Sequence, residues 1–344
     1  MKRLLVLLPA LGTALALSAA PAPIKSSTAP YPKDEKAVVE SYDPAFAALV
    51  DAGAVVEDLG SGFRWSEGPV WDPAQDALLF SDVPENRVYR WKDGDGITVF
   101  LEPSGFTGEA YNGRERGSNG LTLDPQGRLT LCQHGDRRVA RLAADGKHFE
   151  TVVNKVDGHR FSSPNDLCFD KAGNLFFTDP PYGLPSDTKQ ETACNGVYRL
   201  GTDGKLAVLD QQMLRPNGVA LSPDEKTLYV GSTDDSQPYL KAYALNADGT
   251  VASSRVFFDT TEFMNRTKRR GGLDGLKVDA LGNIWTSGPG GILVISPEGK
   301  LLGSIYTARP TANCAFGDAD HQTLYITAND SLLRVRTKVK GAAR

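Results

Sequence analysis

Six copies of one short pattern run through this chain, and each copy carries an oxygen-bearing side chain at the same place. In every copy an apolar run meets a turn, and a second β-rich run follows. The turns begin at Asp72, Asp124, Asp170, Ser222, Asp279 and Asp318. Five residues earlier stand, in the same order, Glu67, Asn119, Asn165, Asn217, Asp274 and Asn313. Carboxylate and amide oxygens are ligands of hard cations, so the sequence predicts a cation site if these positions converge on one axis.

The spacing of the copies predicts a ring-shaped β-fold that would bring these positions together. Successive turn residues are separated by 52, 46, 52, 57 and 39 positions, which leaves room for about four short strands in each unit. Asp at the turn start, with Pro, Gly or Asn inside the turn, is typical of a tight connection between strands. We expect an all-β, six-bladed β-propeller with a central metal site. A β-sandwich or a pair of all-β domains is the alternative that the irregular spacing leaves open.

Two interpretations of the repeated polar position compete. Asn-Gly and Asp-Gly are common turn dipeptides, and three copies carry them, at 119–120, 217–218 and 274–275. A turn does not explain Glu67, because Glu is not a turn former. It also does not explain why polar oxygens recur directly before strands that should enter the core. We interpret four of the positions as metal ligands and leave Asn119 and Asn313 open; the four are Glu67, Asn165, Asn217 and Asp274.

The chemistry of these four side chains favours calcium. Two carboxylates and two amide oxygens would balance a divalent charge and leave positions for water or substrate, which suits Ca²⁺ and, less well, Mg²⁺. Zinc prefers His and Cys ligands, and the four histidines, at 134, 148, 159 and 321, show no ligand spacing. We therefore expect Ca²⁺ as the cofactor, with other divalent cations as alternatives.

The N-terminus has the pattern of an export signal. Lys2 and Arg3 precede an apolar stretch from Leu4 to Leu17, and small residues follow at 18–20. We predict a signal peptide at 1–20, a flexible segment at 21–42 and one propeller domain at 43–344, in a periplasmic or secreted protein. Residues 43–51 are expected to form a short helix. Residues 54–59 are expected to close the last blade beside 332–338.

The charge balance argues weakly against nucleic acid or an anionic membrane as a partner. Without Lys2 and Arg3 the 38 basic residues fall to 36 against 42 acidic ones, so the net charge is −6. The basic cluster at 266–270 is expected to be a solvated loop beside the mouth of the channel. The mature form is expected to have no membrane partner, and a homodimer is left open. Spacing assigns no disulfide among Cys132, Cys168, Cys194 and Cys314.

Six motifs occur in a fixed order along the chain. They are EGPVWDP (67–73), SNGLTLDPQGRL (118–129), CQHGDRRVAR (132–141), SPNDLCFDKAGNLFFTDPPYGL (163–184), PNGVALSPDEKTLYV (216–230) and LDGLKVDALGNIWTSGPGGILVISPEGKLLG (273–303). Together they resemble the SMP-30/gluconolactonase/LRE-like family, most closely its bacterial gluconolactonases. The resemblance implies a six-bladed propeller with one catalytic calcium ion in the central channel. By motif it implies the ligands Glu67, Asn165, Asn217 and Asp274, with Asn119 in the pocket and His134 in the family's C-[EQ]-H-G segment.

The activity that this resemblance implies is hydrolysis of a sugar lactone such as D-glucono-1,5-lactone. The ion would polarise the carbonyl, with Asp274 as candidate general base and metal-bound hydroxide as the rival nucleophile. Asn119 and Asn165 would hold the carbonyl or the ring hydroxyls. His134 would bond the substrate or carry a proton, and Tyr182 would form a wall of the pocket. For these last two residues a purely structural role agrees equally well with the sequence.

Two other functions stay open from the sequence alone. A phosphotriesterase of the diisopropyl-fluorophosphatase type is similar in fold and in its Glu/Asn/Asn/Asp calcium set. A propeller binding module with a structural calcium ion is the non-enzymatic alternative. The sequence has no GxSxG elbow, Walker loop or Cys-His signature, which argues against covalent catalysis and nucleotide chemistry.

Overall fold

The computed structural model describes residues 36–342, which form the six-bladed β-propeller that the repeats predict. In each blade the strands follow one another from the inside outward, and the innermost strands of neighbouring blades contact one another in a closed cycle. The predicted signal peptide at 1–20 and most of the predicted segment at 21–42 lie outside the described residues. Within 36–342, no helix combines the length and the hydrophobicity that a membrane crossing requires.

Strands β1 (Val38–Ser41) and β2 (Glu57–Ser61) precede the blades. The first three blades are β3–β6 (Ser66–Asp72, Ala77–Asp82, Arg87–Lys92, Gly96–Leu101), β7–β10 (Ser118–Leu123, Leu129–Gln133, Arg138–Leu142, Phe149–Val153) and β13–β16 (Leu167–Phe169, Leu175–Thr178, Val197–Leu200, Leu206–Asp210). The last three are β17–β20 (Pro216–Leu221, Thr227–Ser232, Tyr239–Leu245, Val251–Asp259), β21–β24 (Leu276–Val278, Ile284–Gly288, Gly291–Ile295, Leu301–Tyr306) and β25–β27 (Asn313–Gly317, Thr323–Ala328, Ser331–Arg336). A hairpin of β11 (Lys155–Val156) and β12 (His159–Arg160) follows the second blade, and α1 (Thr261–Thr267) follows the fourth.

The sixth blade takes its outermost strand from the N-terminal part of the chain. β2 pairs antiparallel with β27, and Asp58 stands opposite Leu333. This pairing confirms the predicted closure, although the strand covers Glu57–Ser61 rather than 54–59. The chain segment that leads into the first blade is therefore part of the sheet of the last blade, and this links the two blades in addition to their side-chain packing.

Strand β1 extends the fifth blade, where Val38 pairs with Tyr306. Residues 38–41 fall in the segment predicted to be flexible, because nothing in the repeat pattern indicates a fifth strand. Glu40 on β1 accepts two hydrogen bonds from Arg269, at 2.5 Å from Nη1 and 2.7 Å from Nη2. The Arg269 guanidinium also lies 4.1 Å from the centre of the Tyr306 ring. Arg269, expected in a solvated loop, instead holds β1 against its blade.

The predicted short helix at 43–51 is a 3-10 helix, Pro44–Ala48. Asp43 caps it, because its carboxylate accepts a hydrogen bond from the Ala45 amide at 2.9 Å. Phe46 from this helix packs into the apolar core of the fifth and sixth blades. The helix therefore anchors the N-terminal part of the described chain.

Apolar side chains fill the spaces between the blades. Strands β22 and β23 are buried along their whole length, as expected for sheets packed on both faces. Trp71 of the first blade stacks on Tyr325 of the last, with the ring centroids 5.7 Å apart. The four cysteines all lie in the described part of the chain and form no disulfide.

The aspartates that begin the turns hold them through local hydrogen bonds. Buried Asp279 accepts from the Leu281 and Asn283 amides and from the Trp285 indole, each at 2.9 Å. Asp72, Asp124 and Asp170 also accept from amides of their own turns. These turns end the innermost strands, so the residue five positions earlier lies at the opposite end of each strand.

Candidate functional site

All six predicted positions lie where an innermost strand begins, at one face of the propeller. Five of these residues are between 1% and 4% exposed, whereas Asp274 is partly exposed at the mouth. The Gly120 amide donates to the Asn165 carbonyl at 2.7 Å, which connects two neighbouring blades. Where the last blade meets the first, Asn313 Nδ2 lies 3.4 Å from Glu67 Oε2. The structure therefore brings the six residues together around one axis, and we call them the oxygen ring: Glu67, Asn119, Asn165, Asn217, Asp274 and Asn313.

The glycine after several ring residues lets the innermost strands approach each other closely. A Cβ on Gly218 would stand 2.2 Å from the Asp274 carbonyl oxygen, and one on Gly68 would stand 2.0 Å from the Asn119 carbonyl oxygen. Gly68 also has a φ of +50°, which other residues rarely adopt. The Asn-Gly pairs at 119–120 and 217–218 lie inside strands, so the turn interpretation is wrong for them.

β-bulges turn three of the ring side chains toward the channel. In β3 the pairing register shifts by one residue directly after the polar position, and in β7 and β17 the shifted segment contains the polar position. In β3, for example, Glu67 pairs with Ser81, but Val70 pairs with Leu79. A bulge re-aims side chains relative to the regular pleat. This device explains how strands that are otherwise packed between blades present a polar group to the axis.

Three oxygens of the ring are buried and have no hydrogen-bond partner: Asn119 Oδ1, Asn165 Oδ1 and Asp274 Oδ1. An unsatisfied buried acceptor costs about 1–3 kcal/mol, so natural proteins rarely keep several together. A cation can be coordinated by acceptors from several blades at the same time. Within residues 36–342, His, Cys, Asp and Glu side chains alone form no group of three that could hold a metal. A cation here would therefore depend on the amide oxygens as well.

Buried negative charge accumulates in the ring. Burial raises the pKa of Glu67, although a hydrogen bond from the Gly68 amide at 2.9 Å opposes the shift. Burial also raises the pKa of Asp274 well above its usual range, and the Glu67 and Asp166 carboxylates add to this shift. Each carboxylate thus makes ionisation of the others less favourable. A positive charge at the axis would remove this conflict.

Asp166 is a candidate site residue that the sequence analysis missed. It is 1% exposed, and its Oδ1 accepts a hydrogen bond from the Leu167 amide at 2.8 Å. Its Oδ2 lies 3.5 Å from Asn313 Nδ2, on the axis side of the strand. Four other copies of the repeat have glycine at this position. The break in that glycine pattern is the signal that could have identified it.

Asn313 differs from the other ring residues in what it presents to the axis. Its Oδ1 accepts a hydrogen bond from the Cys314 amide at 2.9 Å. Its Nδ2 therefore faces the carboxylates of Glu67 and Asp166. Asn313, which the sequence left open as a ligand, thus donates to these carboxylates through its side-chain amide.

The two remaining predicted residues lie at the same face. His134 follows directly after β8 and is completely buried. The Tyr182 hydroxyl forms a hydrogen bond with the Thr233 hydroxyl. Burial raises the pKa of Tyr182 to about 12, and the Asp274 carboxylate contributes to the increase. Tyr182 is therefore within electrostatic reach of the ring.

Two long loops at this face, 102–117 and 179–196, form what we call the canopy. The Tyr111 hydroxyl of the first loop donates to the Gly183 carbonyl of the second. The Ser186 amide donates to the Asn112 carbonyl at 3.0 Å. Glu115 in the first loop also raises the pKa of Glu67 and of Asp274, which places the canopy near the ring.

Known proteins of similar sequence and similar structure include several lactonases. A gluconolactonase from Zymomonas mobilis is 39% identical over 311 residues, covering 88% of this chain and 87% of the relative. A pentonolactonase, XacC, from Haloferax volcanii is 29% identical over 278 residues, covering 79% and 84%. The structure of a gluconolactonase from Xanthomonas campestris superposes with a TM-score of 0.76 at 34% identity, covering 88% of this chain and 98% of that one.

The family model that matches is described as the SMP-30/Gluconolactonase/LRE-like region, and it spans residues 65–330. That span contains every residue of the oxygen ring, both canopy loops and His134. At lower identity the similar proteins include regucalcins, one of which, from Agrobacterium tumefaciens, is described as a calcium-binding protein. This chain belongs to the SMP-30/gluconolactonase/LRE-like family.

Proposed function

We propose that this chain is a calcium-dependent lactone hydrolase that opens a sugar lactone, such as D-glucono-1,5-lactone, to its aldonic acid. The relatives from Zymomonas and Xanthomonas are gluconolactonases, and the relative from Haloferax is a pentonolactonase. The observation that carries the proposal is the group of buried, unpartnered oxygens on Asn119, Asn165 and Asp274. Lactone hydrolysis needs a preorganised site for the negative charge that develops on the carbonyl oxygen.

The residues that would hold the calcium ion are Glu67, Asn165, Asn217 and Asp274. They come from four different blades and offer two carboxylates and two side-chain amides. Oxygen ligands suit Ca²⁺ best, with Mg²⁺ and other divalent cations as weaker alternatives. When bound, the ion would polarise the lactone carbonyl and offset the negative charge that accumulates in the ring.

Asp274 is the candidate general base. Its Oδ1 has no hydrogen-bond partner among the described residues, so it is the atom that would accept a hydrogen bond from the attacking water. A hydrogen bond from the Asn217 side chain orients the carboxylate. Taking a proton from water during its attack on the carbonyl carbon strengthens the nucleophile. Such general base catalysis contributes roughly 10²- to 10⁴-fold to rates.

Asn119, Asn165 and Tyr182 would orient the sugar. The two amides reach the axis from neighbouring blades and can bond the carbonyl or the ring hydroxyls. The Tyr182 ring is held by its hydrogen bond to Thr233 and would form one wall of the pocket. The canopy would keep bulk water from the bound lactone.

We also propose that the protein acts in the periplasm or outside the cell, as the pattern at 1–20 indicates. N-terminal sequencing of the mature protein after cell fractionation tests this proposal, and an intact Met1 in the cytoplasmic fraction would contradict it. Light scattering of the purified protein decides between a monomer and a homodimer.

The central experiment measures hydrolysis of a panel of lactones by chelated protein to which single metals are added back. The enzymatic rate must be compared with spontaneous opening in the same buffer. The variants are Asp274→Ala and Glu67→Ala, with Asp248→Ala, in an exposed turn between β19 and β20, as the matched control. A parallel assay with diisopropyl fluorophosphate separates a lactonase from a phosphotriesterase.

We expect rapid opening of gluconolactone with Ca²⁺, loss of activity in chelator, and a rate lower by roughly 10²-fold or more in both ring variants. The control variant should keep the wild-type rate. Faster turnover of the organophosphate than of any lactone would favour the phosphotriesterase. No hydrolysis of either substrate, in a folded protein that binds Ca²⁺, would favour a binding module.

A further inference from the structure

His134 is buried at the edge of the site and its side chain is not satisfied. Neither ring nitrogen makes a hydrogen bond within the described residues, although the residue is completely buried. The ring packs directly under the canopy, because a Cβ on Gly183 would stand 2.4 Å from His134 Cβ and 2.7 Å from Nδ1. A buried polar atom without a partner is costly. Its retention therefore points to a partner that belongs to the function.

Glu115 is the charged group that faces this imidazole. Its Oε2 lies 3.3 Å from His134 Nδ1, which is within ion-pair distance, but the two atoms do not form a hydrogen bond. Catalytic hydrogen bonds are commonly long or poorly aligned before substrate binds. The Glu115 side chain is 30% exposed, so a small movement of the loop can close the contact. The Tyr111 hydroxyl, whose single proton is shared with the Gly183 carbonyl, lies 3.0 Å from the Glu115 carbonyl oxygen.

Glu115 and His134 lie on the same face of the propeller as the oxygen ring. Glu115 is one of the carboxylates that raise the pKa of Glu67 and of Asp274. His134 follows β8, the strand that pairs with β7, and β7 carries Asn119. In the third and fourth blades the residues at the equivalent strand end are Asp179 and Thr233. His134 therefore lies at the same end of the second blade as Asn119, at the face where a substrate would enter.

We propose that Glu115 is a positioning residue for His134, and that His134 Nε2 is the group that protonates the ring oxygen of the lactone as it leaves. This inference rests on the proposed lactone hydrolysis. Glu115 would accept the Nδ1–H hydrogen bond, stabilise the protonated imidazole and direct Nε2–H toward the substrate. The arrangement is that of a carboxylate that orients a histidine for proton transfer.

The proposed step balances with one water molecule consumed for each lactone opened. The water oxygen forms a bond to the carbonyl carbon, and its proton goes to Asp274. The bond between that carbon and the ring oxygen breaks, and the ring oxygen takes the proton from His134 Nε2. Asp274 then loses a proton to solvent and His134 regains one. No atom changes its oxidation state.

The first test observes the imidazole directly and does not need a substrate. Protein labelled with ¹⁵N in its histidine rings is compared by NMR with Glu115→Gln, Glu115→Asp and the control Glu109→Gln, an exposed glutamate in the same loop. The His134→Gln spectrum identifies the His134 signals. We expect a protected Nδ1–H signal in the wild type and the control, a weaker one in Glu115→Asp, and none in Glu115→Gln. An unchanged His134 signal in Glu115→Gln would overturn the inference.

The second test is kinetic. Glu115→Gln should lower kcat by about tenfold or more with little change in KM, and Glu115→Asp should restore part of the loss. The double variant Glu115→Gln/His134→Gln should be no slower than His134→Gln alone, because the two residues act as a unit. Losses that multiply in the double variant, or an effect on KM alone, would contradict the inference. If the wild type opens no lactone, the proposed function fails, and so does the proton transfer. The NMR comparison then still decides whether Glu115 positions His134.

Discussion

Asn313 donates its side-chain amide to Glu67 across the seam between the last blade and the first, with 3.4 Å between Nδ2 and Oε2. The same amide lies 3.5 Å from the Asp166 carboxylate. One neutral donor therefore separates two buried acids in the part of the ring where the propeller closes.

Replacement of this donor by an acid should destabilise the protein without metal. Asn313→Asp would place a third carboxylate beside Glu67 and Asp166, so we expect a lower melting temperature in chelator and a larger gain on adding Ca²⁺. Thermal unfolding with and without Ca²⁺ measures both effects. Asp248→Asn in an exposed turn is the control and should change neither. An equal loss of stability in chelator and in Ca²⁺ would indicate a packing defect instead.

Replacement of a buried acid by an amide should reduce the repulsion between carboxylates in the oxygen ring when no cation is bound. Asp166→Asn removes one of the buried carboxylates that act on Glu67 and Asp274. We expect the melting temperature in chelator to rise or stay constant, and the increase that Ca²⁺ gives to become smaller. A cation at 100 times its dissociation constant stabilises the native state by about 2.7 kcal/mol. A calcium titration followed by calorimetry tests the weaker binding, and unchanged affinity would count against a role for Asp166 near the ion.

The hydroxyl of Tyr111 should matter for substrate binding more than for chemistry. Tyr111→Phe removes one of the hydrogen bonds between the two canopy loops, the one to the Gly183 carbonyl. A looser canopy should raise KM several-fold while kcat changes little. Steady-state kinetics on the best lactone measures this split. Tyr239→Phe, on a strand of the fourth blade, is the control, and a fall in kcat alone would contradict the proposed role.

The contact that holds β1 should give a defined dependence of stability on pH. The hydrogen bonds from Arg269 lower the pKa of Glu40 to about 2, from a usual value of 4.5. A lowered acid pKa means that the contribution is present above pH 4.5 and is lost as the pH falls toward 2. Glu40→Gln should therefore melt at a lower temperature than the wild type at pH 6, and the difference should shrink by pH 3. Glu150→Gln on β10 serves as the control, and a difference that does not depend on pH would contradict the assignment.

A turn aspartate should be important for the stability of its blade. Asp279→Ala leaves the Trp285 indole and two turn amides without their acceptor in a buried place. We expect a loss of about 3 kcal/mol in the free energy of unfolding, measured by denaturant titration. The exposed turn residue Asp248 has only local partners, and its replacement by Ala should cost clearly less. Equal losses in the two variants would mean that the hydrogen bonds within the turn, and not the bond from the Trp285 indole, give most of the stabilisation.

The repeated positions could be read from the sequence because each is fixed by local chemistry. Turns that begin with Asp or, in the fourth copy, Ser mark the end of every innermost strand, and a constant spacing then places Glu67 and its equivalents at the other end. The closure by β2 also follows from the topology of a ring. These features depend on strand period and turn chemistry, which a single sequence displays directly.

What the sequence could not provide depends on contacts between distant segments. The amide direction of Asn313 is set by the Cys314 backbone and by acids from two other blades. Asp166 stands where other copies have glycine, and nothing local shows that its carboxylate reaches the axis. Glu115 lies in a loop without a pattern, and only the packing of the canopy brings it to His134. Strand β1 has no counterpart in the other blades, so the repeat gives no reason to expect it.

The pairing of β2 with β27 has a consequence for the order in which the propeller can be completed. Glu67 belongs to the first blade and Asp274 to the fifth, whereas the partner strand of β2 ends only at Arg336. A chain that lacks its last blade therefore has no partner strand for β2 and cannot close the ring of blades. The proposed calcium site would then be completed only after the sixth blade has formed, and a chain truncated before that blade should bind Ca²⁺ more weakly than the full chain.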